Sequence, residues 1–179
     1  MIYLDKMLVR ILMDEIDNQC EMVKIAVDGI NRFHNEDSIA TKYLWFNVQG
    51  LLIATANISK ILWNYDRKEI EEVKYLKEVL SLDDASKVKS RFFRNLFEHY
   101  DDHLINWSAA TDTKIIATSN VMPKGMNIGV PVKNTFKTYY SDVNSIAFQG
   151  KEYSLQPVIK EVARIKLCIS NFDKSKLFD

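Results

Sequence analysis

YLWFNVQGLLIATANIS, residues 43–59, has no charged side chain and approaches the length of a membrane span. Its polar members decide the reading, because Asn47, Gln49 and Asn57 would each need a hydrogen-bonding partner in lipid. A central helix of a water-soluble core meets that need, with apolar residues almost all the way round. The pattern predicts a helix from 39 to about 64, with Asp37 or Ser38 as its cap. Gly50 costs about 1 kcal/mol of helix propensity against Ala, and it admits the close approach of a neighbour.

Working towards the N-terminus, Ile2, Leu4, Met7, Leu8, Ile11, Leu12, Ile16, Met22, Val23, Ala26, Val27 and Ile30 recur at helical spacing. They predict a long first helix ending near Phe33, broken by the polar run 34–38. Towards the C-terminus, the charged stretch 66–72 leads into a third helix ending near Leu80. A polar link, 81–86, offers Asp83 or Asp84 as the cap of a fourth helix over about 85–107. In that helix Phe93, Phe97, Tyr100, Leu104 and Trp107 form an aromatic stripe that reads as core.

After Ser108 the texture changes, with Pro123, Gly125, Gly129 and Pro131 punctuating a loop. Short strands are expected at 135–140, 145–148 and 152–155, joined by turns at 142–144 and 149–151. A last helix runs from Pro157, suited to a first helical position, to about Phe172. The expectation is a mainly α chain: a helical bundle over 1–110, and a segment 111–179 made of loop, a small β-meander and a final helix packed on the bundle.

The chain has 179 residues, 24 of them basic and 24 acidic. That length suits one domain with a small appendage, and the zero formal charge leaves no protein-wide field for a polyanion, so any nucleic-acid contact must be local. Cys20 and Cys168 lie in apolar helical patterns without CxxC spacing, which reads as buried free thiols in a reducing compartment. Asp5, Lys6 and Arg10 interrupt the N-terminal apolar run, so no signal peptide is expected. The expected location is the cytoplasm, with no membrane partner.

The chemistry concentrates in RNLFEHYDDH, residues 94–103. Arg94 and His99 are five apart and would point about 140° away from each other on one helix. Asn95 and His99 share a face, Arg94 can pair with Glu98, Arg91 precedes Asn95 by a turn and Asp102 follows Glu98 by a turn. One reading is a solvated, self-paired face, each exposed pair contributing about 0.5 kcal/mol. The other is RNA cleavage without metal, in which an imidazole moves the 2′-hydroxyl proton and a guanidinium braces charge growing on the phosphate. His34, His99 and His103 form no zinc-binding pattern, although His99 and His103, four apart, could hold a metal with Asp102. No phosphate-binding glycine loop or serine-hydrolase motif occurs.

The spacing R-N-x-x-x-H at Arg94, Asn95 and His99 resembles the Rx4-6H motif of the HEPN superfamily. The wider RNLFEHYDDHL is similar to the R-N-x-x-E-H-x-D-x-x-L form of HEPN-like proteins. The resemblance implies an up-and-down helical bundle with the motif on a late helix. It implies Arg94 as phosphate binder, His99 as general acid or base and Asn95 as the orienting residue, with Arg91, Glu98, Asp102 and His103 on the substrate side.

In that superfamily two motifs face each other across a dimer seam, so Arg94 of one copy would complement His99 of the other. The implied activity is a metal-independent endoribonuclease of a toxin or phage-defence system. It would need no cofactor and would leave a 2′,3′-cyclic phosphate. Its implied partners are RNA, a second copy, and an antitoxin or regulatory protein. The alternative implied by non-catalytic relatives is an interaction module that binds a protein or a nucleotide. Lys124, Lys133, Lys137 and Lys151 with Tyr139 and Tyr140 either form a basic, aromatic RNA surface or are ordinary strand and loop residues.

Overall fold

The computed structural model describes residues 4–63, 68–90, 92, 95, 99–111, 117–126 and 129–177. The chain is mainly α and divides into two compact units, Met1–Arg94 with Val158–Asp179, and Asn95–Pro157. This division differs from the boundary expected at residue 110. Residues 95–110 group with the strands, and the last helix groups with the N-terminal helices.

The helical unit is built on an antiparallel pair. Helix α1, Lys6–Asn35, begins where the Asp5 carboxylate accepts a hydrogen bond from the Leu8 amide at 3.0 Å, satisfying one of the free donors of the first turn. Helix α2, Thr41–Leu62, returns alongside it. The contacts Gly29 with Asn47, Gly50 with Ala26 and Asn57 with Gln19 step through the two helices in opposite directions at constant register.

Asn47, Asn57 and Thr55 of α2 find partners inside the protein, while Gln49 is exposed. Asn47 Nδ2 donates to the Tyr43 carbonyl at 2.8 Å, Asn57 Nδ2 to Gln19 Oε1 at 3.3 Å, and the Thr55 hydroxyl to the Leu51 carbonyl at 2.8 Å. Leu44, Val48, Leu51, Leu52, Ile58 and Leu62 are buried beside them. Two expectations for α2 need correction. Its first residue follows Ala40, with no side-chain cap, so neither Asp37 nor Ser38 caps it. Nor is it enclosed on every side, since Phe46 is 75% exposed and Ile53 47%.

Helix α3, Glu71–Val79, packs through Val73 and Leu76, while its buried Glu72 accepts the Asp5 amide at 2.9 Å. A 3-10 turn, Lys87–Lys89, follows with Val88 fully buried. The continuous helix expected over 85–107 is not formed. Ser86 and Ser90 have extended or near-extended backbone, at ψ 134° and 120°. Each serine hydroxyl is used locally or across the fold: Ser86 donates to Glu161 at 2.9 Å, and Ser90 accepts from the Phe92 amide at 3.4 Å. Such bonds compete with helix propagation.

The last helix, Gln156–Asn171, completes this unit through buried Val158, Val162, Ile165 and Ile169. Lys166 bridges Asp17 at 2.7 Å and Glu21 at 2.8 Å. Arg164 donates to the Leu80 carbonyl at 2.8 Å and pairs with Glu161 at 3.1 Å.

The second unit holds helix α4, Tyr100–Ala109, and strands β1, Asn120–Met122, β2, Lys137–Tyr140, β3, Ser145–Phe148, and β4, Lys151–Ser154. The last helix is thus α5. The sheet order is β1-β2-β3-β4, with β1 parallel to β2 and the remaining pairs antiparallel. Three of these strands fall where the pattern predicts them, while β1 was not foreseen. Gln149 and Gly150, at φ 47° and 81°, form the two-residue turn between β3 and β4, the backbone such a tight hairpin favours. Phe136 is fully buried, with its ring 5.3 Å from those of Tyr100 and Trp107 and 5.7 Å from that of Phe148. The aromatic stripe is therefore core at Trp107. Tyr100 and Leu104 are half-buried, and Phe93 and Phe97 lie outside the described residues. Among those residues no helix is long and apolar enough to cross a membrane.

Candidate functional site

Arg91, Arg94 and Glu98 lie outside the described residues, so the geometry of the motif rests on Asn95 and the segment from His99 onwards. Asn95 is helical and exposed. One turn later the His99 amide donates to the Asn95 carbonyl at 3.1 Å, and the His103 amide in turn donates to the His99 carbonyl at 3.0 Å. His99 itself, at φ −114° and ψ 35°, stands immediately before α4 and departs from helical geometry. Its side chain is exposed, and that of His103 is half-buried.

The acidic residues around the motif have a local explanation. Asp101 and Asp102 occupy the first turn of α4 and are exposed. Carboxylates there meet the positive end of the helix dipole, typically worth about 0.3–1 kcal/mol each. Their presence thus follows from where α4 begins, a start the continuous pattern through 85–107 concealed.

Tyr100, next to His99, packs edge-on against Phe136, and burial pushes its phenol up. Lys137 Nζ lies 5.5 Å from the Tyr100 ring centre, where burial lowers the ammonium below its ordinary range. Lys137 therefore belongs to a partly dry cation-π contact rather than to an open basic surface.

The remaining members of the proposed RNA surface divide in the same way. Tyr139 is fully buried, its hydroxyl donating to Asn144 Oδ1 at 2.9 Å and its phenol pushed up to about 12 by burial. It is neither a stacking platform nor a surface residue. Lys124 pairs with Glu152 at 2.8 Å, holding that carboxyl below its usual range. Lys133 and Lys151 are exposed.

Beside β2, a cleft of about 360 Å³ is lined by Met122, Met126, Pro131, Thr138, Tyr140 and Gly150, among others, none of them charged. The glycine and proline punctuation of 123–131 marked this loop without revealing the cleft. Its rim connects to the motif segment through the turn preceding β4: Gln149 Nε2 donates to the His103 carbonyl at 3.3 Å.

Among the described residues no three His, Cys, Asp or Glu side chains stand where they could hold a metal ion. Cys20 is buried as expected, and burial pushes its thiol up to about 12, helped by Asp17. Cys168 is only half-buried, so the expectation of two buried thiols holds for one. Comparison with protein-family profiles, curated proteins and solved structures finds no match to this chain.

Proposed function

We propose that the protein is a metal-independent endoribonuclease of HEPN type, acting in the cytoplasm as a toxin or phage-defence effector. Arg94 braces the phosphate, His99 moves the proton of the attacking 2′-hydroxyl and Asn95 orients the imidazole or the substrate. The 2′-oxygen attacks phosphorus, the bond from phosphorus to the 5′-oxygen breaks, that oxygen takes up a proton to leave as a hydroxyl, and a 2′,3′-cyclic phosphate results. RNA, a second copy of the chain and an antitoxin or regulatory protein are the partners of this reading.

The observation that carries it is the exposure of His99 one helical turn beyond exposed Asn95, with their backbones joined at 3.1 Å. An imidazole at such a place is open to a large substrate, and imidazole is the side-chain type suited to moving a proton in general acid–base catalysis. Exposed Asp101 and Asp102 favour the second reading, a non-catalytic module, because they repel a phosphate backbone.

The test is incubation of the protein with mixed RNA in EDTA. Cleavage to cyclic-phosphate ends, abolished in Arg94→Ala and His99→Ala variants of native circular dichroism, supports the enzyme. Intact RNA at every protein concentration leaves the interaction module standing.

A further inference from the structure

The two faces of the sheet are covered differently. Lys137 and Phe148 stand opposite each other in register and meet the rings of Tyr100 and Phe136, so their side is the one packed on α4. The alternate residues Thr138, Tyr140 and Ala147, with Met122 level with Tyr140, turn the other way. Residues 125, 126 and 130–132 form the wall facing them, and the cleft of about 360 Å³ lies between. One end of it is fixed. Val132 Cγ1 sits 3.2 Å from where a Cβ on Gly150 would stand, and Gly150 has φ 81°, so only glycine keeps both the turn and this wall in place.

The polar groups of the lining lack partners. Thr138 is 2% exposed and Thr135 8%, both line the cleft, and among the described residues neither hydroxyl has a hydrogen-bond partner. A buried hydroxyl left bare is destabilising, and the edge of a ligand would satisfy it. Asn120, level with Thr138 on β1, holds a buried Nδ2 in the same condition. Around these atoms stand the thioethers of Met122 and Met126, the ring of Pro131 and that of Tyr140. The occupant needs apolar faces and a polar edge together. It carries no charge, because no lining residue could pair with one.

We propose that this cleft binds a single uncharged nucleobase, its hydrogen-bonding edge on Thr135 and Thr138 and its faces against the methionines and Tyr140. A hydrocarbon would leave the hydroxyls bare, a sugar would set its own hydroxyls against thioether and proline, and a phosphate would meet no cation in the lining. Aromatic rings and thioethers are the partners on which the faces of a flat ring rest. Tyr140 is open to this role, as buried Tyr139 is not. The turn at the end of the cleft bonds the motif segment, through Gln149 Nε2 and the His103 carbonyl. Placing the base in an RNA strand that passes His99 rests on the ribonuclease reading, whereas the demand for a neutral ring with a polar edge does not.

Methionine-methyl NMR spectra of the full chain, titrated with adenosine, guanosine, cytidine and uridine in turn, test it. Met122→Leu and Met126→Leu assign the two signals. At least one nucleoside should shift both methyls saturably, through the ring current of its base. Thr138→Val, which keeps the shape and removes the hydroxyl, should weaken that binding about two- to ten-fold. Ala147→Leu, which fills the floor, should abolish it with native circular dichroism retained; if that variant unfolds, Met126→Glu, at a position 55% exposed, supplies the block by placing a charge there. Oligonucleotides bearing 2′-O-methyl groups, which resist cutting, separate the two sources of a base. Binding tighter than that of the nucleoside, and lost with the same variants, assigns a strand; nucleoside binding that no oligonucleotide shares assigns a free nucleoside. Unshifted methyls up to the solubility limit of all four nucleosides overturn the proposal, as does binding that survives both blocking variants, or toluene bound as tightly as the best nucleoside. Cleavage is not read here: nucleoside binding by a protein that never cuts RNA keeps the cleft and removes the enzyme, and cutting without nucleoside binding does the reverse.

Discussion

Gly29 and Asn47 occupy the same space at the crossing of α1 and α2: a Cβ on Gly29 would overlap the side-chain amide of Asn47. Asn47 is 5% exposed and its Nδ2 already donates to the Tyr43 carbonyl at 2.8 Å. Neither the backbone of α1 nor this amide has room to move far. Gly29→Ala should therefore destabilise the fold by about 1–3 kcal/mol, the usual range for overpacking. Combined with Asn47→Ala, which vacates the space, the cost should be less than the sum of the two single changes. Urea denaturation of the four proteins measures this, and strict additivity would show that the two residues do not compete.

His99 and His103 differ in exposure although one helical turn separates them. If His99 is the proton-transferring group, His99→Ala should lower RNA cleavage by about 10²–10⁴-fold. His103→Ala, which leaves the backbone bond to Gln149 in place, should change it far less. Equal losses in both variants would point to damage to α4 rather than to catalysis.

The Lys166 bridges make the seating of α5 sensitive to acid. Hydrogen bonding to Lys166 holds the Glu21 carboxyl below its usual range, and Arg164 does the same for Glu161. For Lys166, burial works downward, but the bonds to Asp17 and Glu21 outweigh it and the ammonium is raised. A carboxylate with a depressed folded pKa contributes stability that is complete above its unfolded value and disappears as pH falls through the folded one. Unfolding midpoints of the wild type and Lys166→Met should thus differ most at pH 6–7. They should converge once the pH drops below the ordinary glutamate range. A constant gap down to pH 2 would assign the loss to packing.

Cys20 and Cys168 should separate cleanly by reactivity. With its thiol at about 12 and only 3% of the residue exposed, Cys20 carries almost no thiolate at pH 8. Iodoacetamide should modify Cys168 first and Cys20 only after unfolding, as peptide mass spectrometry would record. Rapid labelling of Cys20 in the native protein would contradict its burial.

The charge-free run at 43–59 made a central helix legible, because buried amides in an apolar stretch need partners within the protein, although Gln49 turns out exposed. Asn47 and Asn57 show that logic at work. The same pattern hid the exposed side of α2, since Phe46 and Ile53 carry no mark distinguishing a covered apolar residue from an uncovered one. The turns at 142–144 and 149–151 were legible from turn chemistry. Strand β1 has only three residues, too short for alternation to show. The start of α4 was missed because apolar spacing carries through 85–107 and no residue type marks the departure from helical geometry at His99. At the candidate site, residue types singled out Asn95 and His99, both exposed in the structure, but nothing in their spacing foretold the cleft beside β2 or the burial of Tyr139.

The return of α5 to the helices near the N-terminus has a consequence for synthesis. Lys166 must reach Asp17, 149 residues earlier in the chain. The α1–α2 hairpin is made well before α5, so the part of it that Lys166 reaches waits for residues synthesised long after Asp17. The sheet, whose strand pairs all lie between residues 120 and 154, can close before that bridge forms.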